Sequence, residues 1–277
     1  MAGPRRIVTF TTDFGVSDHY VGTMKGAVLK FNPEATIVDI CNSIPSYDVL
    51  DGAIVISQAY RYFPPGSIHL VVVDPGVGSS RRPILVTTDN HVFIAPDNGV
   101  LSFVFEQEER ISVRHITAEH YFLQPVSQTF HGRDVFAAVA GYLSKGVEAA
   151  KFGDEITDFI RFAVPRPKPL GDHALKGIVL KVDKFGNLIT NIRQQDLPPL
   201  FAEPTPAFKI AVGKGEITKL KTAYAQGTPG EVFAILGSMG FLEIATNRGA
   251  AARTVGADKG AEITVLLEAA AAPATQA

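Results

Sequence analysis

The apolar, β-branched run Val71-Val72-Val73 delivers an aspartate, Asp74, directly into the turn Pro75-Gly76-Val77-Gly78, and Arg81 follows a few residues later. Such a run reads as a buried strand ending at a turn. In an open α/β sheet, ligands bind beyond the carboxyl ends of the strands, and the two glycines let the backbone approach a ligand closely. A carboxylate and a guanidinium at one strand end also describe a plain structural ion pair. The remainder of the chain has to decide between these readings.

Ile7 to Thr12 is a second strand that ends on an aspartate, in Thr11-Thr12-Asp13-Phe14-Gly15. Tyr20 to Phe31 carries helical spacing and stops at Asn32-Pro33, and Ala35 to Ile40 is again a strand. Val49 to Phe63 is a helix stopped by Pro64-Pro65-Gly66, before the strand Ile68 to Val73. Strands alternating with helices predict an α/β domain with a mainly parallel central sheet covered on both faces. Ile84 to Thr88 and His91 to Ala95 flank Asp89-Asn90, a hairpin turn, and a short helix ends near Gln107. Ile111 to Ile116 reads as a further strand. Phe130-His131-Gly132-Arg133-Asp134 then leads into helical spacing over Val135 to Leu143, placing His131 just upstream of a helix start.

At Val164-Pro165-Arg166-Pro167-Lys168-Pro169 the pattern changes to a proline-dense, stiff segment. Beyond it lie short β-branched runs between Gly, Pro and Asx turns: 177–182, 188–192, 208–212, 231–236, 241–245 and 262–267. No helix is predicted among them. The reading is therefore an α/β domain over 1–164, a linker over 165–175, a smaller all-β, barrel-like domain over 176–268, and a frayed tail over 269–277. A length of 277 residues fits two domains. With 19% charged residues and a formal net charge of -2, the composition makes no electrostatic case for nucleic acid or an anionic membrane. One cysteine, Cys41, excludes an intramolecular disulfide and a Cys-rich zinc site. Met1 to Arg6 runs into a strand without the apolar core of a signal peptide, and no stretch is long and apolar enough to span a bilayer, so the expected location is cytoplasmic.

Taken singly, the polar residues are ambiguous. Asp13 could cap its own turn, His131 could be a core histidine, Asp134 could be a helix N-cap, and Gly186-Asn187 could belong to a hairpin. Asp13, Asp18, His19, Asp74 and His131 are all potential metal ligands, but no His-Glu-x-x-His pair, cysteine cluster or acidic calcium loop supports a metal. Gly-x-Ser-x-Gly, the dinucleotide glycine fingerprint and the Walker pattern are likewise absent.

In chain order, however, Thr11-Thr12-Asp13-Phe14-Gly15, Val73-Asp74-Pro75-Gly76-Val77-Gly78 with Arg81, Phe130-His131-Gly132-Arg133-Asp134, Asp183-Lys184-Phe185-Gly186-Asn187 and the stretch from Gly237 to Asn247 resemble one family. It is the S-adenosyl-L-methionine (SAM) hydroxide adenosyltransferases, relatives of the fluorinase and chlorinase enzymes. The resemblance implies an N-terminal α/β domain, a C-terminal β-barrel, and a homotrimer with sites between subunits. It also implies a reaction in which water or hydroxide attacks C5′ of SAM, releasing methionine and adenosine without a cofactor or metal.

On that resemblance the catalytic set falls on Asp74, Arg81 and His131. Asp74 and His131 would orient the water and accept its proton, and Arg81 would favour the developing hydroxide. Which of the two takes the proton stays open. Asp13 would hold the ribose hydroxyls, while Asp183 and Asn187 would bind the methionine ammonium and its polar neighbours. Ser238 would bind the carboxylate, and Tyr47 and Tyr224 would give aromatic surface near ribose and adenine. Phe185 and Asn247 would complete the purine pocket. Met239 stands where the fluorinase has an arginine, so carboxylate binding there would rest on Ser238 and backbone N–H groups. A carboxylate at position 74 repels a halide by several kcal/mol in a low-dielectric cleft, which favours hydrolysis over halogenation. A 5′-halogenase and a non-catalytic SAM or adenosine sensor are the alternatives.

Overall fold

The computed structural model describes residues 6–171 and 173–268, so the expected tail over 269–277 lies outside the described residues. These divide into two compact units, with the boundary between Val164 and Pro165.

Unit 1 contains β1 (Ile7–Thr12), α1 (Tyr20–Phe31), β2 (Thr36–Cys41), α2 (Val49–Ala59), β3 (Ile68–Val72), β4 (Pro83–Thr87), β5 (Val92–Pro96), α3 (Ser102–Gln107), β6 (Ser112–His115), a π-helix (Gly132–Ala137) and α4 (Ala138–Ser144). Its strands form one sheet in the order β2-β1-β3-β5-β4-β6. Strand alternation divides the core. Ile68, Leu70 and Val72 of β3 join Met24, Val28 and the α4 side chains on one face, whereas Val71 and Val73 join Ile56, Val104 and Phe105 on the other. Burial on both faces is why β3 reads as an apolar run interrupted only by the buried His69.

The sheet is mixed, with three of its five pairings parallel. β2, β1, β3 and β5 run parallel, but β4 pairs antiparallel with both β5 and β6. The physical reason is the short Thr88 to His91 connection, which can only reverse the chain, whereas a parallel pair needs a long crossover. The predicted helix over 49–63 also ends early, with Tyr60–Tyr62 tightening into a 3₁₀ turn.

Unit 2 contains β7 (Lys168–Pro169), β8 (Ala174–Val182), β9 (Leu188–Arg193), β10 (Phe208–Val212), β11 (Gly215–Ile217), β12 (Leu220–Lys221), β13 (Val232–Leu236), β14 (Phe241–Thr246), α5 (Ala251–Val255) and β15 (Glu262–Leu267). The main path is β11-β10-β15-β8-β9-β14-β13-β12, a curled sheet of half-barrel form around Leu188, Ile192, Ile210, Leu242, Ile244 and Val265. α5 corrects the helix-free expectation: five residues are too few to show periodicity, and Gly256 in the left-handed region ends the helix. Residues of the proline-dense segment pair within this unit, Lys168 with Lys176 and Pro169 with Leu175. The Asn191 side chain also donates to the Pro165 carbonyl at 3.0 Å.

Candidate active site

β1 and β3 are parallel neighbours with Thr12 opposite Val72, so the two strands deliver Asp13 and Asp74 side by side beyond the sheet. The end of β3 is held in place by Asn98, whose Nδ2 donates to the Val73 carbonyl at 2.8 Å and whose Oδ1 accepts the Val100 N–H. Past Asp74 the chain reverses through bonds from Val77 N to Asp74 O and from Ser79 N to Gly76 O. That reversal returns Arg81 to the aspartate. Gly76 leaves room for the Arg81 stem, since a Cβ at 76 would lie 3.3 Å from Arg81 Cγ.

The Asp74 and Arg81 side chains are only 5% and 8% exposed. Arg81 Nε lies 3.0 and 2.9 Å from the two Asp74 oxygens, and Nη2 lies 2.5 Å from Oδ2. Nη2 also reaches His131 Nδ1 at 2.9 Å, and the guanidinium sits over the Phe136 ring at 5.3 Å. A guanidinium donates and cannot accept, so in this contact His131 Nδ1 is the acceptor and the imidazole is neutral with its proton on Nε2. Burial and then the Arg81 charge hold the His131 pKa below the ordinary histidine value, against Asp74 and Asp134, in agreement with that assignment. Arg81 Nη1 is buried without a hydrogen-bond partner. The three side chains thus form an ion pair extended by a neutral imidazole.

Asp134 helps to hold His131. It is fully buried, accepts the Ser127 N–H at 2.8 Å and pairs with Arg133, so it fastens the loop that leads into His131. The π-helix begins at the next residue, with Gly132 packed against Met24, where a Cβ would lie 3.1 Å from the sulfur. π-helices are rare and frequent at functional sites.

Asp13 Oδ2 accepts the Tyr47 N–H at 2.8 Å, and Tyr47 occupies the left-handed region at φ 68° with its side chain exposed. Burial pushes the Asp13 carboxyl above its ordinary value, the Tyr47 and Asp13 N–H groups pull it back, and the Asp74 charge adds to the rise. Unit 1 therefore gathers Asp13, Tyr47, Asp74, Arg81 and His131, which come from four separate parts of the sequence. Among the described residues no group of three or more His, Cys, Asp or Glu could hold a metal ion.

In unit 2, Asp183, Phe185 and Asn187 make one turn. Asp183 Oδ1 accepts the Phe185 and Asn187 N–H groups, both at 2.8 Å, and Oδ2 accepts Asn187 Nδ2 at 2.9 Å. Gly186 at φ 84° closes the turn, which buries Asn187 and leaves Phe185 exposed. Ser238 is exposed and Met239 half-buried on the turn after β13. Asn247 spends its amide on the Gly227 carbonyl at 2.7 Å, beside the short turn that carries Tyr224. The Tyr224 hydroxyl donates to Glu243 Oε2 at 2.8 Å. Sequence reasoning assigned no role to Glu243 or Asn98. A lone acid inside Phe241-Leu242-Glu243-Ile244-Ala245 was the available signal for Glu243; Asn98, one polar residue in a loop, carried none.

Comparison with known proteins agrees with this architecture. The SAM hydroxide adenosyltransferase N-terminal domain matches residues 8–153, and the corresponding C-terminal domain matches residues 177–264. A protein of Methanocaldococcus jannaschii named (R)-S-adenosyl-L-methionine hydrolase is 32% identical over 270 residues, covering 94% of this chain and 95% of that one. A fluorinase of Nocardia brasiliensis is more distant, 28% identical over 88% of this chain and 91% of its own. Among solved structures, a conserved protein of Thermotoga maritima superposes with a TM-score of 0.87 at 35% identity, covering 94% of this chain and 99% of its own. The chain belongs to the SAM hydroxide adenosyltransferase family.

Proposed function

We propose that this protein hydrolyses SAM to adenosine and L-methionine by in-line attack of water on ribose C5′. The observation that carries the reading is the Asp74–Arg81–His131 constellation at the end of β3, in a chain whose relatives include proteins named for this hydrolysis. The sulfonium is already a good leaving group, so the protein's task is to hold water in line and draw off its proton; positioning of this kind supplies several kcal/mol. The new C5′–O bond forms as the C5′–S bond breaks, and the sulfonium takes that electron pair to become the neutral thioether of methionine. Because His131 Nδ1 accepts from Arg81, His131 offers Nε2–H to the water oxygen, and Asp74 receives the proton the water loses. The positive charge of the Arg81 guanidinium, held beside Asp74, favours the developing negative charge on that oxygen.

Asp13 binds the ribose hydroxyls through the oxygen left open by Tyr47. Tyr47, Phe185, Tyr224 and Asn247 receive the nucleoside, and Asp183, Asn187, Ser238 and Met239 receive the methionine end. Homotrimeric assembly with sites between subunits and a cytoplasmic location belong to the same proposal and rest on the family resemblance; no helix is long and apolar enough to cross a membrane among the described residues. The reaction as written uses no cofactor. The Asp74–Arg81 pair at the proposed water position speaks against a halide there.

The test is to incubate the purified protein with SAM, with and without chelator and chloride, and to follow products by chromatography for wild type and Asp74→Ala. Adenosine from wild type, retained with chelator and lost in the variant, is the expected result. 5′-Chloroadenosine in the chloride sample makes the protein a halogenase, and bound but unconverted SAM makes it a sensor.

A further inference from the structure

Glu243 stands where stability alone favours an apolar residue. β14 is buried along its whole length, and Glu243 is 3% exposed between Leu242 and Ile244, which both enter the unit 2 core. Strand alternation turns Glu243 to the opposite face, the side of Ala245, which packs with Phe233 and Ile235. Burying a carboxylate there is costly unless its hydrogen bonds are satisfied. Among the described residues, the structure gives it the Tyr224 hydroxyl at 2.8 Å and no salt bridge. Burial raises its pKa, the Tyr224 bond opposes the rise, and the Asp183 charge adds to it.

Both carboxylate oxygens touch elements that face solvent. Oε2 takes the hydroxyl of Tyr224, a residue 43% exposed on a three-residue 3₁₀ turn. Oε1 occupies space that a Cβ on Gly237 would fill, directly under the turn that carries Ser238. An exposed aromatic side chain ordinarily samples several rotamers, and one tethered at its tip has lost that freedom before a ligand arrives.

We propose that Glu243 is a positioning residue that tethers the exposed ring of Tyr224 in one orientation, giving the substrate's nucleoside a preformed flat surface. The inference rests on the reading above that Tyr224 meets the nucleoside. A buried acid in mid-strand is thereby explained by what it holds, not by what it contributes to the core.

The test separates the tether from the charge and from the ring. Tyr224→Phe keeps the ring and removes the hydroxyl, and Glu243→Leu removes the acceptor. Each raises KM for SAM by about three- to tenfold with kcat within about twofold, because ordering of the ring is then completed during binding. The inhibition constant of adenosine rises in parallel and that of L-methionine does not. The double variant is no worse than either single one, since both break the same bond. Glu243→Gln, whose carbonyl oxygen accepts the same hydroxyl, recovers most of the loss. Gly237→Ala gives the same KM signature by displacing the carboxylate from its other side, with both partners intact. Additive losses, an equal rise for methionine, or Glu243→Gln behaving like Glu243→Leu overturns the tether. Wild type that neither forms nor binds adenosine overturns the proposed function and this inference together, whereas active wild type with an unchanged KM in Tyr224→Phe overturns the inference alone.

Discussion

His69 and His91 meet inside unit 1, with His69 Nε2 3.2 Å from His91 Nδ1, while His69 Nδ1 lies 2.8 Å from the Thr9 hydroxyl. Tyr60, Phe63 and Phe93 close the remaining sides of His69. Burial, and then the His91 charge, pushes His69 down to about 3, and burial lowers His91 despite the Glu108 carboxylate. The native protein therefore keeps His69 neutral while the unfolded chain takes up a proton below about 6.5. Stability is independent of this group above that value and falls as pH drops from 6.5 toward 3, by at most about 1.4 kcal/mol per pH unit. Thermal unfolding of wild type at pH 5 should begin well below its temperature at pH 7.5. In His69→Gln the difference should shrink by about one proton's worth of linkage. An unchanged pH difference in the variant would remove His69 as its source.

The central strands β3, β4 and β5 were legible because their side chains are largely apolar on both faces, and the Asp74–Arg81 pair because only seven positions separate partners that one turn brings together. His131 lies fifty positions beyond Arg81, and nothing in its own surroundings distinguishes it from a core histidine; the family resemblance singled it out. The reversal of β4 follows from the short turn at Asp89-Asn90, a hairpin legible in the sequence, whereas strand–helix alternation speaks only for the parallel part of the sheet. The π-helix had no local signature. It is secured by distant packing, including the Leu123 N–H to Asp134 O bond and the Ser127 N–H to Asp134 side-chain bond. Glu243 was passed over because hydrophobic patterning says where a strand lies and not why one acid within it is kept.

The Arg81–His131 contact makes the pH dependence of turnover predictable in sign. The groups facing His131 are Arg81, Asp74 and Asp134, and the net effect with burial is a pKa below 6.5. Neutral His131 accepts from Arg81, whereas the imidazolium would set two cations against each other. Activity should persist through pH 6.5 and decline only at lower pH, as His131 protonates. Asp134→Asn removes an anion that supports the protonated form, so its acid limb should move lower still. Arg81→Lys should lower kcat by about a hundredfold or more, because one ammonium cannot reproduce a fork that serves Asp74 twice and His131 once. A pH–rate profile for kcat of the three proteins checks both statements. An acid limb centred at or above 6.5 in wild type would overturn the tautomer assignment.

Gly78 spaces the Asp74 turn from the loop that carries His131. It sits at φ 78°, and a Cβ there would overlap the backbone carbonyl of Gln128, three residues before His131. Backbone cannot yield as a side-chain tip can, so Gly78→Ala must push the two loops apart in addition to paying roughly 1–2 kcal/mol for a left-handed alanine. Gly66 provides a matched control, because it has a similar φ of 84° but nothing within 4 Å of its Cβ position. Both alanine variants should unfold a few degrees lower than wild type, at about 2–4 °C per kcal/mol for a chain of this size. Only Gly78→Ala should lower kcat, by about tenfold or more, since a shift of about 1 Å between Arg81 and His131 disrupts their shared hydrogen bond. Thermal unfolding and steady-state kinetics of the pair separate strain from geometry. Equal kcat values in the two variants would show that Gly78 serves the turn alone, and that the spacing between the loops does not limit catalysis.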